Sequence, residues 1–149
     1  MSQLKQTLSD NVKVSMKARE LERVKVLRNV QAVIKQIEID RQIELDDAQV
    51  LDILQKQLKQ RHESLNIFTE NNRDDLATKE QFEIDIINEF MPKQMDDAEL
   101  AALVNAEIAA QGATSMRDMG SVMGVLKNKT AGRADPAIIS KLVKDALQG

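Results

Sequence analysis

Cysteine is absent from this sequence of 149 residues. Disulfide bonds, thiolate metal sites, iron–sulfur clusters and cysteine nucleophiles are therefore excluded. Long apolar runs are lacking too: the start, MSQLKQTLSDNVK, mixes charged with apolar residues, and nothing approaches the about 20 apolar residues of a membrane span. These absences predict a cytoplasmic protein with no membrane partner.

Aromatic residues are almost missing, since there is no Trp or Tyr and only three Phe. Core volume must come from Leu, Ile, Val, Met and Ala, which favours helices over a β-sandwich. The composition is that of a globular chain, with 42% hydrophobic and 30% charged residues. We therefore expect an all-α protein.

An excess of positive charge is also missing, because the formal net charge is −3. Affinity for nucleic acid comes largely from neutralising phosphates, so the chain is not built mainly to coat nucleic acid. Any nucleic-acid contact must be local.

Apolar residues at helical spacing predict a longer N-terminal part, residues 1–91, made of long amphipathic helices. Two early series run through Leu4, Leu8, Val12 and Met16 and through Leu27, Val30, Ile34 and Ile37. The acidic residues Glu44, Asp46 and Asp47 predict the start of a third helix, and Asn71 its end. We expect Asn72 to cap a fourth helix whose buried side includes Leu76, Phe82, Ile86, Ile87 and Phe90.

A domain boundary is predicted at FMPKQMDDAEL, because Pro92 keeps Met91 out of the α region. Asp96 and Glu99 form a predicted capping box, so a helix should start at about Asp97 and end before Gly112. Ser115 with Asp118 opens another helix, and Asp135 followed by Pro136 opens a last one. Residues 96–149 are thus expected to form a small three-helix domain.

Catalytic chemistry finds little support in the residues. His62 is the single histidine, and its neighbours in QRHESLNIF supply no partner for a metal site or an acid–base pair. Three acidic pairs stand where helices begin, where they cap free amides. No phosphate-binding loop motif is present. We predict no catalytic residue, no metal and no cofactor.

Three glycines near the C-terminus are candidate positions of close approach. Gly120 and Gly124 lie one turn apart on a predicted helix, where Gly costs about 1 kcal/mol relative to Ala. Either another helix packs there or a ligand approaches the backbone, and Gly132 marks the following turn. Met116, Met119 and Met123 are most simply core residues, with a partner groove as the alternative.

Basic residues concentrate in the tail, which gives this end a local positive charge. Around the turn LKNKTAGRAD, side chains and the free amides of the last helix could hold a phosphate. A solvated helix end with Arg133 paired to Asp135 would give the same pattern, so both interpretations stand. The candidate nucleic-acid-binding residues are Lys127, Lys129, Arg133, Lys141 and Lys144.

A second basic run lies nearer the N-terminus: Lys13, Lys17, Arg19, Arg23, Lys25 and Arg28. Glu20 and Glu22 dilute it, and it wraps around more than one helix face, so we interpret it as solvated surface. Neither basic region has interleaved aromatic residues, so contact with a folded RNA would be through backbone and shape.

The C-terminal segment GATSMRDMGSVMGVLKNKTAGRADPAIISKLVKDAL is similar to the end of YqeY proteins, with D-M-G-x-V-M-G followed by G-R-A-D. The segments VKVLRNVQAVIKQIEID, LKQRHESLNIF and NNRDDLATKEQFEIDIINEFMPKQMDDAEL also resemble that family, which extends the likeness over essentially the whole chain. Asn72 replaces the Gly common in the family, and Asn tolerates similar backbone angles.

The same C-terminal segment resembles the tail of GatB, the amidotransferase subunit that delivers misacylated tRNA, and that of some glutaminyl-tRNA synthetases. The residues that carry the resemblance to GatB are Gly120, Val122, Met123, Gly132, Ala134 and Pro136. The resemblance implies a non-catalytic tRNA-associated helper. A different function is an adaptor that docks a synthetase or amidotransferase subunit through an apolar or Met-bearing helix face. A third, suggested by family labels, is an enzyme of glutamine-dependent carbon–nitrogen ligase chemistry, although GatB's catalytic portion is missing.

Overall fold

A computed structural model describes residues 2–148. Within that range the chain forms one short 3₁₀ helix, Met116–Asp118, no strand, and the α-helices α1 (Gln3–Lys17), α2 (Leu21–Arg41), α3 (Asp47–Glu70), α4 (Asp74–Asn88), α5 (Asp97–Gln111), α6 (Met119–Lys129) and α7 (Pro136–Gln148). The predicted all-α class is confirmed. Among the described helices, none is both long and apolar enough to cross a bilayer.

The chain divides into two compact units, Met1–Met91 and Pro92–Gly149. The division falls at the Met91–Pro92 peptide, where Pro disfavours helical backbone in the preceding residue. The assignment of two domains with the limits 1–91 and 96–149 stays a prediction.

Helices α1 to α4 build the first unit around an aliphatic core. Their apolar stripes face inward because residues three and four apart share one side of a helix. Leu45, in the loop before α3, completes this core. The fully buried side chains are Leu8, Leu27, Val30, Leu45, Val50, Leu54, Ile84 and Ile87.

The second unit contains three α-helices and the 3₁₀ helix. Helices α5, α6 and α7 enclose a smaller aliphatic core, and Met95, Met119 and Met123 pack partly buried against it. Met116 is exposed. The buried residues of this core are Leu100, Val104, Val122, Leu126, Ala134, Ile139 and Val143.

Local capping determines most helix ends. Asp46 caps α3 in a reciprocal capping box with Gln49, and the Asp96 side chain accepts from the amide of Glu99 at 2.7 Å. Gly112 ends α5 in the left-handed region at φ 64°, and Asp135 precedes Pro136 at the start of α7. These predicted starts and stops are confirmed.

The expected core position is wrong for Met116, which is 40% exposed. Three further predictions about individual side chains are also wrong. Asn72 does not cap α4: it lies at φ 57°, and Arg73 is the N-cap. Met16 and Phe82 are 48% and 44% exposed, because the helices turn Ser15 and Ile84 inward instead. The left-handed φ of Asn72 agrees with the expectation that Asn replaces Gly at this turn.

The turn between α1 and α2 contains an unusual residue. Arg19 has φ 60°, and the amide of Glu20 donates to the carbonyl of Ser15 across the turn. Helix ends of this kind favour glycine, because a Cβ is unfavourable in the left-handed region. Arg19 therefore has a conformational cost that Gly would avoid.

We expect Arg19→Gly to raise the free energy of unfolding by about 0.5–1 kcal/mol, because it removes that cost. Urea denaturation followed by circular dichroism measures the change. Asn72→Gly is the matched control and should change stability less, since Asn occupies this region at lower cost. A destabilised Arg19→Gly protein would contradict the backbone argument.

Candidate nucleic-acid interface

Lys127 and Lys129 lie in the last turn of α6, where positive side chains offset the negative end of the helix dipole. Both side chains reach the surface because Val122 and Leu126 occupy the buried side of the helix. Among residues 2–148, no carboxylate lies within ion-pair distance of Lys127. The ammonium group of Lys127 is therefore available to an external anion.

Lys129 has a partner that sequence reasoning missed. Its Nζ lies 3.0 Å from Oε2 of Glu107, a residue of α5 that is only 7% exposed. The Gln111 side chain donates to the other oxygen of Glu107 at 2.7 Å. Hydrogen bonds from Gln111 and then from Lys129 hold the pKa of Glu107 below its usual value. Lys129 therefore stabilises the fold, although its side chain is 50% exposed.

Arg133 is also partly engaged. Its Nε donates to the carbonyl of Lys93 at 2.9 Å, and its Nη2 lies 3.7 Å from Oε2 of Glu99. The backbone repeats the connection, because the amide of Met95 donates to the carbonyl of Arg133 at 2.9 Å. The alternative left open by the sequence, a pair of Arg133 with Asp135, is not formed, because the guanidinium turns toward Lys93 and Glu99.

The start of α7 offers no free amides for a phosphate. Oδ1 of Asp135 accepts from the amide of Ala137 at 2.9 Å, and its carbonyl accepts from Ile138 and Ile139. Pro136 has no N–H to offer. The idea that these amides hold an anion is therefore wrong, and any anion contact here must use side chains.

Lys141 and Lys144 lie on the outer side of α7. The helix buries Ile139 and Val143, which leaves both lysines exposed. Neither forms an ion pair with any residue that the structure describes. With Lys127, they are the predicted binding residues that have no carboxylate at ion-pair distance within residues 2–148.

The predicted glycines fall into two groups. A Cβ on Gly120 or Gly124 would meet nothing within 4 Å, so no other helix packs there and the close-packing interpretation is wrong for both. Gly132 is buried at φ 71°, and its carbonyl accepts from the Gln94 side chain at 2.6 Å. Approach of a ligand to Gly120 and Gly124 stays a prediction.

The open glycines share one face with a cation. Gly120, Gly124 and Lys127 follow at i, i+4 and i+7 on α6, and all three are exposed. The backbone of α6 is therefore uncovered along this face, and an ammonium stands at its end. Such a face can receive a phosphate backbone closely, which a row of larger side chains would prevent.

Sequence reasoning missed Lys93 and Glu107. The spacing of Leu100, Val104 and Glu107 at i, i+4 and i+7 puts the acid on the buried face of α5, and this signal was available. No comparable signal marks Lys93, which lies 40 residues from Arg133. Among the described residues, no group of His, Asp and Glu could hold a metal ion.

Comparison with known proteins shows which family the chain resembles. The model of the Yqey-like protein family matches residues 5–147. The chain belongs to the YqeY-like family. The predicted resemblance to YqeY proteins is thereby confirmed over nearly the whole chain.

Curated relatives of this YqeY-like chain share the name "Altered inheritance of mitochondria protein 41, mitochondrial". The protein from Eremothecium gossypii is 34% identical over 120 residues, 80% of this chain and 62% of its own length. That of Saccharomyces cerevisiae is 35% identical over 94 residues, 62% of this chain and 51% of its own. The protein from Candida glabrata is 32% identical over 87 residues, with 57% and 48% covered. This chain thus spans about half to three fifths of the relatives it matches.

Gly120→Ala and Gly124→Ala should each raise the free energy of unfolding by about 0.5–1 kcal/mol, because Ala is the better helix residue and its methyl group meets open space. Gly112→Ala is the contrasting variant: it also meets open space, but at φ 64° it should lose about 1 kcal/mol. Denaturation curves measure all three, and a loss of stability at position 120 or 124 would contradict the open face.

The lowered pKa of Glu107 predicts that the stability of the protein falls at acidic pH. A carboxylate with a lowered pKa in the folded state stabilises the protein at neutral pH and loses this effect as the pH falls below about 4.3, the ordinary pKa of Glu. Glu107→Gln should therefore be less stable than the original chain at neutral pH, with the difference shrinking toward acid. Glu99→Gln is the exposed control, and a difference that does not depend on pH would contradict the pairing.

Proposed function

We propose that this YqeY-like chain is a non-catalytic helper that binds folded tRNA through its second unit. The supporting observation is the exposed row of Gly120, Gly124 and Lys127 on α6. Two glycines in a helix lower its stability, and no packing contact within the described residues explains them. Close approach of a phosphate backbone gives a reason for retaining them.

Charge distribution supports the same surface. Lys127, Lys141 and Lys144 have no ion pair among the described residues, so their charge is available to a polyanion. Lys129 and Arg133 each have a partner within the unit, and they are expected to support binding more weakly. The absence of Trp and Tyr leaves the sugar–phosphate backbone and overall shape as the recognised features.

Resemblance of the C-terminal segment to the tail of GatB favours tRNA as the RNA. An aminoacyl-tRNA synthetase or an amidotransferase subunit is the protein partner that this resemblance suggests. We expect the helper to act in the cytoplasm, as the absence of cysteine suggests. The names of the fungal relatives refer to mitochondria, so the compartment is part of the proposal.

Exposed apolar side chains favour a second function, that of a protein adaptor. Met116 and Ile138 of the second unit are 40% and 50% exposed. Contiguous exposed apolar patches mark partner sites, and the 3₁₀ helix that contains Met116 contacts α7, which contains Ile138. Recovery of a synthetase or amidotransferase subunit after nuclease treatment, and its loss in Met116→Glu, would support the adaptor over the tRNA helper.

Charge reversal at Lys127 and Lys144 tests the tRNA-binding site. The double variant Lys127→Glu/Lys144→Glu should weaken tRNA binding at least tenfold, and the slope of log K against log salt should fall by about one for each lost phosphate contact. Equilibrium titration over about 50–200 mM salt measures both quantities.

The matched control reverses two exposed lysines of the first unit, Lys59→Glu/Lys79→Glu, and changes the net charge equally. It should bind tRNA nearly as well as the original chain. Lys129→Glu is unsuitable, because it would place a second carboxylate beside buried Glu107. Equal losses in both double variants would reject the assigned site, and no binding at low salt would reject the tRNA helper.

A further inference from the structure

Helix α2 presents an exposed row along its outer side. The row steps by four, three, four, three and four residues, which keeps its members on one face of a helix. Leu21, at one end, is 73% exposed, and Ile39, at the other, is 58% exposed. The remaining positions are basic or small, and the exposed row consists of Leu21, Lys25, Arg28, Ala32, Lys35 and Ile39.

Helix α1 continues this face. Nη2 of Arg28 lies 3.3 Å from Sδ of Met16, so the two helices meet there. Lys13 and Lys17 flank Met16 on α1 at i−3 and i+1, and both are exposed. Arg19 stands in the turn that joins the helices. We call these cations the hairpin basic face: Lys13, Lys17, Arg19, Lys25, Arg28 and Lys35.

No member of the hairpin basic face has a carboxylate at ion-pair distance among the described residues, although Lys35, after Lys5 and the amide of Leu45, helps to lower the pKa of Glu38. Arg23 of the same helix behaves differently: it pairs with Glu89, lies 3.8 Å from Glu20, and donates to the Ser15 hydroxyl at 3.0 Å. The fold thus uses Arg23 for its own stability and leaves the outer cations to solvent.

The six cations of this hairpin outnumber Glu20 and Glu22, the two exposed acids that dilute them, so a net repulsion remains. Neighbours such as Lys25 and Arg28, three residues apart, destabilise the helix that contains them. A polyanion laid over the face would convert this repulsion into attraction. Three of the cations lie along α2 between positions 25 and 35, a distance of about 15 Å. A row of this kind matches a chain of phosphates better than a single small anion.

Two other kinds of partner, a bilayer surface and a protein helix, fit the face less well. The apolar residues Leu21 and Ile39 are about 27 Å apart at the two ends of the row, with the cations between them, so they form no continuous patch for a bilayer surface. A partner helix along the row would have to bury Lys25, Arg28 and Lys35 in its seam, which costs desolvation of each charge. Phosphate contacts leave these long side chains solvated.

We propose that the hairpin basic face of the first unit binds the phosphate backbone of a folded RNA, separately from the surface on the second unit. RNA as the ligand rests on the proposed tRNA function, whereas the location on α1 and α2 does not. Arg19 contributes at the turn, where a basic residue occupies a backbone conformation that favours glycine. Since no aromatic side chain lies on this face, it recognises the RNA by its charge and shape.

The test compares two double charge reversals in the full chain, with total tRNA as the probe. Lys25→Glu/Arg28→Glu should weaken binding at least tenfold and lower the salt slope by about two. Lys59→Glu/Lys79→Glu alters two exposed lysines of α3 and α4 in the same unit and should change affinity less than about twofold. Circular dichroism confirms that both variants are folded.

Arg19→Gly separates a loss of binding from a loss of folding. This variant should unfold at higher urea concentration than the original chain, yet bind tRNA about two- to threefold more weakly, with a salt slope lower by about one. Binding that stays unchanged in both Arg19→Gly and Lys25→Glu/Arg28→Glu would overturn the proposal.

The remaining outcomes distinguish this proposal from the proposed function. If Lys127→Glu/Lys144→Glu loses binding and the α2 variant does not, the second-unit site stands and the hairpin face is rejected. The reverse result supports the hairpin face and rejects the second-unit site. Equal competition by duplex DNA, or binding to vesicles with anionic lipid but not to tRNA, would overturn the assignment to folded RNA.

Discussion

Buried Glu107 is the constraint on which the second unit depends. A carboxylate that is only 7% exposed needs compensation, and Gln111 and Lys129 provide it across α5 and α6. This requirement fixes the end of α6 against α5 and directs the half-exposed Lys129 side chain toward Glu107. Lys127, two residues earlier, is left on the outside of the same turn, beside the open row of glycines.

The cationic side chains of this protein fall into two groups, those that form an ion pair and those that do not. Arg23, Lys129 and Arg133 look like surface residues in the sequence, yet each has a carboxylate at 4 Å or less in the fold. The lysines at 127, 141 and 144 and the hairpin basic face have none among the described residues. Because a charge with a nearby partner is already compensated, the unpaired group is where an external polyanion gains most.

Backbone conformation adds a second distinction, between glycines that the fold requires and glycines that it does not. Gly112, at φ 64°, ends α5 in a conformation that an L residue adopts at a cost. Gly120 and Gly124 have ordinary helical backbone and open surroundings, so neither conformation nor packing accounts for them. Arg19 is the opposite case, because a side chain is present where glycine would be the easier choice. Departures of this kind from the best local residue are common at functional surfaces.

The sequence by itself determined the all-α class, the membership of the YqeY-like family and most helix limits. These depend on contacts within about four residues, such as Asp46 with Gln49 or Asp135 with Ala137, and local spacing reveals them. Only the tertiary structure decided which cations are free. The pairs of Lys129 with Glu107 and Arg23 with Glu89 join residues 22 and 66 positions apart, and local patterns carry no information on such distant partners. The same limit explains why local spacing left open a pair of Arg133 with its neighbour Asp135, whereas the fold directs the guanidinium toward Lys93 and Glu99.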